Sequence, residues 1–286
     1  TMGLLDGWLA HCVTADPGDM GLYFSTQGLA YDYRKRRLER LHRHSPRIAE
    51  KMSKRSHDTT VEMVTYRNGM ILTLGWPTSS QLAQRDLRYV ALSDYDSFPD
   101  DISGEGSPFD LARKRIQVAM SAGMALVESS PKRVQTAAQW RPDGPHEAPP
   151  VAGGILPLYN RGDRRRWLWQ CVDGCGEWWE APAIPLYDEG ASIADAAASA
   201  HVACPTCGQV YRQDSKKRLN DSAGRTWVPE GFGRDRDGNL VQTGEPRRAR
   251  IASFWVLGCA AALQNRPSIV ANYLQALRHC DSTRDE

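Results

Sequence analysis

Two cysteine pairs constrain this chain more than any other feature. Cys171-Val-Asp-Gly-Cys175 is followed by Cys204-Pro-Thr-Cys207, and each pair closes on a glycine, Gly176 or Gly208. A small residue at that point lets backbone amides turn toward sulfur. Four thiolates in two tight pairs suit tetrahedral Zn²⁺. Trp167-Leu168-Trp169 leads in and Gln209-Val210-Tyr211 leads out, as the strands of a zinc ribbon would. The first pair carries one residue more than the standard spacing, and Asp173 inside it is an available but unneeded ligand. Nothing reads as an export signal, so reduced thiols with a metal fit better than a disulfide framework. Unrelated turns with free thiols, or a redox pair, are the alternatives, and two matched pairs favour ligation. Cys12, Cys259 and Cys280 sit in helical or apolar contexts and read as core thiols. A ribbon alone names no function. It can contact nucleic acid, grip a partner, or staple an insert too small for its own core. The adjacent Arg164, Arg165 and Arg166 fit nucleic acid or an acidic partner as well as they fit a solvated loop.

The rest of the chain reads as α/β. It is 41% hydrophobic with a net charge of +2, which excludes bulk disorder. The longest apolar run, 254–263, is too short to span a bilayer. Leu4, Leu5, Trp8, Leu9 and Val13 have helical spacing. Residues 21–25 read as a buried strand running into a helix start, and 31–44 as a basic helix stopped at Ser45-Pro46. Asn68-Gly69 between two strand-like runs signals a hairpin. Residues 89–92 read as another buried strand and 124–127 as a further strand. Three strands end at polar residues, Ser25, Ser93-Asp94 and Ser129-Ser130. In parallel α/β sheets, ligands sit at such carboxyl ends. Residues 135–154 read as a linker and 155–226 as a separate insert.

A strand that delivers Ser93-Asp94-Tyr95-Asp96 at its carboxyl end has the form of a Walker B element, which holds Mg²⁺ and orients water. An acidic surface turn is the plain alternative. No G-x-x-x-x-G-K-[ST] loop is present to cradle phosphates. Thr1 stands directly before an apolar helix pattern, where such a loop would finish, so the expectation is a sheet truncated at its amino end. Arg85, Arg88 and Arg133 fall near strand ends and are candidates for charge on the phosphates.

Several blocks, in order, resemble the large terminase subunit of tailed bacteriophages, of the GpA type. They are Leu92-Ser93-Asp94-Tyr95-Asp96 with Pro99-Asp100-Asp101; Gly104-Glu105-Gly106-Ser107-Pro108-Phe109-Asp110-Leu111-Ala112 with Arg115; Glu128-Ser129-Ser130-Pro131; and 153–167, containing Tyr159-Asn160-Arg161-Gly162-Asp163-Arg164-Arg165-Arg166-Trp167 ahead of the cysteines. The resemblance implies a RecA-like P-loop NTPase sheet with a small zinc-ribbon insert, using ATP, Mg²⁺ and Zn²⁺. It divides the chain into an ATPase core (1–154), the zinc ribbon (155–226) and a return to the core (227–286). It makes Thr1 the last residue of Walker A, Asp94 the water-orienting carboxylate and Asp96 a supporting acid. Ser93 stands where the family usually has Asp. Ser129-Ser130-Pro131 matches the motif that couples hydrolysis to movement, and Cys171, Cys175, Cys204 and Cys207 hold the metal.

The implied activity is an ATP-driven motor that packages viral DNA into proheads in the host cytoplasm. Its partners would be double-stranded DNA, the small terminase subunit, the portal and further copies of itself, with no membrane. A nuclease domain that cuts concatemeric DNA would follow Glu286, and a chain without the phosphate lysine is expected not to hydrolyse ATP. A zinc-ribbon nucleic-acid or partner-binding protein with a degenerate NTPase domain is the alternative. A helicase is another, but it would bring a second RecA-like domain and further nucleic-acid motifs.

Overall fold

The computed structural model describes residues 2–83, 85–189, 192–221 and 225–282. They fall into two compact units, one of residues 1–138 and 150–157, the other of 139–149 and 158–286. Thr1 lies outside the described residues.

The first unit runs α1 (Met2–Thr14), β1 (Met20–Phe24), α2 (Gln27–Tyr33), α3 (Glu39–His44), α4 (Pro46–Ala49), β2 (Met63–Thr65), β3 (Ile71–Gly75), α5 (Ser79–Ala83), β4 (Tyr89–Ser93), α6 (Pro108–Arg115) and β5 (Met124–Glu128). The sheet order is β2-β3-β1-β4-β5. All neighbours are parallel except β2, which forms the expected hairpin with β3 in the register Met63↔Thr73 and Thr65↔Ile71. β1 and β4 are buried along their whole length. That is why they read as unbroken apolar runs rather than alternating ones.

Helix α1 lays Leu5, Leu9, Cys12 and Val13 into this core, each at most 1% exposed. Each buried leucine there contributes about 2 kcal/mol. Leu4, which shares the sequence pattern, instead faces solvent. The Thr26 side chain caps α2 by accepting from Leu29 N–H. The basic helix continues from α2 through a π-turn at Arg34–Leu38 into α3. It stops at Ser45, whose extended backbone is what a following proline imposes.

α7 (Ile155–Asn160) carries the chain into the second unit, which contains β6 (Arg165–Gln170), β7 (Trp178–Glu180), α8 (Ile193–Ser199), β8 (Val202–Ala203), β9 (Val210–Tyr211), α9 (Ser215–Asp221), β10 (Arg225–Val228), β11 (Phe232–Arg234), β12 (Leu240–Gln242), β13 (Phe254–Trp255) and α10 (Arg266–Ser282). β6 pairs antiparallel with β7 and β10 and parallel with β13. Trp169, Trp179, Tyr211, Leu219 and Cys259 form its core.

The division differs from the three-part expectation at its last boundary. Residues 227–282 do not add to the parallel sheet. β13 lies along β6 with Trp255 opposite Arg166, and α10 packs on α8 through Val270, Ala196 and Ala200. A short apolar run carries no mark of which sheet it will join.

The arginine run is also differently used than a solvated loop or an exposed binding patch would require. Arg164 is buried between Glu147 and Glu230, at 3.4 and 3.3 Å. Arg166 is buried against Glu180 and lies over the Trp255 ring, 4.3 Å from its centroid. Arg165 alone is partly exposed, held by Asp163 at 2.8 Å and lying over Phe254.

Candidate active site

Strands β1, β4 and β5 finish side by side, with Phe24 opposite Ser93 and Ser93 opposite Glu128. Parallel register of this kind gathers residues that are far apart in sequence at one rim of the sheet. Ser93 Oγ donates to Glu128 Oε1 at 2.6 Å, and the Asp94 N–H reaches the same oxygen at 3.3 Å. Burial pushes the Glu128 carboxyl above the usual carboxylate range, while the bonds from Ser93 and Asp94 oppose it.

The chain then turns sharply. Asp94 takes a left-handed backbone, φ +58°, unusual for a residue other than glycine and common at functional turns. The turn leaves its carboxylate about half exposed, accepting from Ser97 Oγ at 2.6 Å and facing Lys132 Nζ at 3.4 Å.

Asp96 is placed differently. It is 5% exposed. Its Oδ1 accepts from Ile155 N–H at 2.7 Å and its Oδ2 from Lys132 N–H at 2.8 Å. Its own N–H donates to Ser129 Oγ at 3.0 Å. Asp96 thus ties the end of β4 to the segment after β5 and to the start of α7. The close approach requires a glycine at 154, which has φ +72° and where a Cβ would sit 2.6 Å from Asp96 Oδ1. The structure therefore brings Ser93, Asp94, Asp96 and Ser129 together, with Ser130 and Pro131 exposed next in the chain.

Of the three candidate arginines, only Arg133 reaches this rim. It donates to the carbonyls of Asp96 and Phe98 and pairs with Asp100 at 3.0 Å. Arg88 stands at the other end of β4, bonded to Pro17 O and Asp16, and Arg85 precedes it in an exposed loop. Sequence reasoning did not single out Glu128 or Lys132 as site residues. Glu128 stood inside a quoted block, but only the cross-strand register reveals that it meets Ser93.

The cysteines form a second centre. The ligand atoms of Cys171, Cys175, Cys204 and Cys207 all lie within 4.8 Å of one another. Cys171 and Cys207 sulfurs are 3.6 Å apart, and those of Cys175 and Cys204 are 3.7 Å apart. Tetrahedral Zn²⁺ with ~2.3 Å bonds to sulfur requires about 3.8 Å, so the residues fit the metal. Gly176 and Gly208 have φ +76° and +74°, and the amides of Glu177 and Gln209 that follow them bond the sulfurs of Cys175 and Cys207. The Gln209 amide leads in holding the Cys207 thiol down to about 6. Tyr211 Oη donates to Cys171 Sγ at 3.4 Å. Asp173 is engaged by Arg218 and is not part of the cluster. Cys12 and Cys259 are fully buried, as core thiols should be; the side chain of Cys280 lies outside the described residues.

A family model, the ATPase domain of the phage terminase large subunit gpA, matches residues 1–227, from α1 through the cysteine knuckles. The chain belongs to this family. For a gpA-type terminase ATPase domain, the parallel-rich sheet is that of a P-loop NTPase, and the four-cysteine cluster, whose geometry could hold a metal ion, lies within the matched span. The family makes this an ATPase domain of a DNA-packaging machine. No curated protein matches the chain. Among the described residues, no helix is long and apolar enough to cross a membrane.

Proposed function

We propose that this terminase domain hydrolyses ATP at the joined ends of β4 and β5, and that hydrolysis drives double-stranded DNA into a prohead. The observation that carries the reading is the Ser93–Glu128 and Asp96–Ser129 pair of cross-strand hydrogen bonds, which lock an acidic rim to the segment carrying the coupling motif.

Phosphoryl transfer asks for positioning and charge rather than covalent chemistry. Asp94 has the half-exposed carboxylate, so it orients the attacking water. Ser93 Oγ donates a hydrogen bond to Glu128, which leaves hydroxyl lone pairs directed away from that bond, and a hydroxyl and carboxylate set suits Mg²⁺. The metal, when bound, neutralises charge on the phosphates. Asp96 has both oxygens occupied by backbone amides and acts by holding the rim together. A shift of Ser129 when phosphate leaves would pass through its bond to Asp96 N–H, giving Ser129-Ser130-Pro131 a route for coupling. Thr1 would close the phosphate loop.

Zn²⁺ bound by Cys171, Cys175, Cys204 and Cys207 staples the second unit. In the whole subunit, the partners are the small subunit, the portal and further copies, in the host cytoplasm, and cutting of concatemeric DNA belongs to a separate nuclease domain. The test compares ATP turnover of the 286-residue chain with that of a version extended through a phosphate-binding loop. Turnover only in the extended chain, abolished by Asp94→Asn, supports the reading. Equal robust turnover in both, or full activity in Asp94→Asn, overturns it.

A further inference from the structure

The basic helix carries a feature that the ATPase reading leaves unused. A π-turn such as Arg34–Leu38 is rare, and it re-aims the side chains on it. Here Arg34 is turned inward, to 8% exposure, while Lys35, Arg36 and Arg37 face solvent. Beside the turn opens a cavity of about 630 Å³, walled by Tyr31, Arg34, Lys35, Thr59 and Thr60, with Asp32 and Glu39 also on its lining.

A buried guanidinium is strongly unfavourable unless an anion or a full set of acceptors compensates it. Among the described residues, no acceptor bonds Arg34 Nη1. Two groups that feel its charge, His42 and Tyr66, are neutral. His42 Nε2 meets Tyr66 Oη at 2.9 Å. Burial, helped by the Arg34 charge, holds His42 down to about 4, and burial keeps Tyr66 a phenol. On the outward side Asp32 is taken up by Arg36 at 2.5 Å, which leaves the exposed Glu39 as the other carboxylate on the wall. Among the described residues Arg34 has no ion pair, and its side chain forms part of the cavity wall, so its charge marks a place for an external anion.

The wall combines a planar guanidinium fork, an ammonium and the Thr59 hydroxyl, while the Thr60 hydroxyl is taken up by the Met63 backbone. Donors in several directions suit a tetrahedral oxyanion, which guanidinium and ammonium groups bind through charge-assisted hydrogen bonds. We propose that this cavity is a phosphate-binding site, anchored by Arg34 and completed by Lys35 and Thr59. Exposed Lys35 and Arg40 on the same helix, neither of them in an ion pair among the described residues, make the DNA backbone the favoured source of that phosphate over a free phosphate ion. None of the residues lining the cavity belongs to β4, β5 or the turns that follow them, so it is distinct from the strand-end site and stands whether or not that site hydrolyses ATP.

The test uses the 286-residue chain. Melting midpoints are measured in inorganic phosphate against chloride at equal ionic strength, and affinity for a labelled DNA duplex is measured across salt concentrations. The variants are Arg34→Gln, Lys35→Gln and a Lys51→Gln control. In the parent chain phosphate raises the midpoint by several degrees, because a ligand that binds only the native state stabilises it. Arg34→Gln abolishes the rise, and Lys35→Gln, an exposed change that leaves folding intact, reduces it.

A second readout separates a ligand anchor from a structural arginine. In phosphate-free buffer Arg34→Gln melts at or above the parent midpoint, because it removes an uncompensated buried charge. If the DNA backbone is the source, the slope of log affinity against log salt falls by about one for each substitution. Lost phosphate protection with an unchanged slope assigns the site to free phosphate. The proposal is overturned if phosphate does not move the parent midpoint and no slope changes, or if Arg34→Gln melts lower in every buffer while Lys35→Gln behaves like the control.

Discussion

Asp94 and Asp96 are two residues apart and chemically identical, yet their surroundings give them opposite tasks. Asp94 is half exposed and contacted by the flexible Lys132, so Asp94→Asn should change stability by no more than about 0.5 kcal/mol, read by urea unfolding. Asp96 is buried and accepts two backbone amides, on Oδ1 and Oδ2. Asp96→Asn points an amide NH₂ at one of them, and should cost about 2–3 kcal/mol by the same measurement. Similar small losses in both variants would refute the split. His42 gives a pH dependence at this scale. Its unfolded imidazole takes a proton near 6.5 and its folded one only near about 4. The unfolded state binds more protons in that interval, so this contribution is complete above pH 6.5 and is lost as pH falls toward 4. At most it amounts to about 3 kcal/mol. His42→Gln should flatten the fall in melting midpoint between pH 7 and pH 4.5, and an unchanged slope would show that other groups carry it.

At the scale of elements, the arginine-rich entry to β6 is structural. Arg164 is held between two carboxylates that are themselves largely buried. Arg164→Met leaves Glu147 and Glu230 without their cation, and should destabilise the second unit by about 3–5 kcal/mol. Arg165→Met, at the partly exposed position, should cost about 1 kcal/mol or less. Denaturant melts followed by tryptophan fluorescence check both, since Trp167, Trp169 and Trp179 lie in or beside this core. The knuckles make a matching prediction. One zinc per chain should be found by elemental analysis, Cys204→Ser should release it, and a chelator should expose 158–282 to protease while leaving the parallel sheet intact. Zinc retained at full occupancy in Cys204→Ser would rule out the four-thiolate site.

At the scale of the whole molecule, the division into two units predicts two unfolding transitions, of which only one moves when zinc is removed. A single calorimetric transition that shifts as a whole would show that the units unfold together. The sequence by itself determined the elements whose pattern is local: the buried strands β1 and β4, the half-buried strand β5, the hairpin at Asn68-Gly69, the basic helix and the cysteine knuckles with their glycines. Each is written in neighbouring residues, through side-chain periodicity, turn geometry or ligand spacing. Only the tertiary structure decided which strand borders which. That choice set Glu128 against Ser93, made Asp96 a buried tie, buried Arg34, Arg164 and Arg166 while leaving Arg165 partly out, and sent β13 to β6 instead of the parallel sheet. These outcomes depend on pairings between residues tens of positions apart. Identical side chains with the same local pattern are worth different energies according to what faces them, and one-dimensional order does not encode that directly.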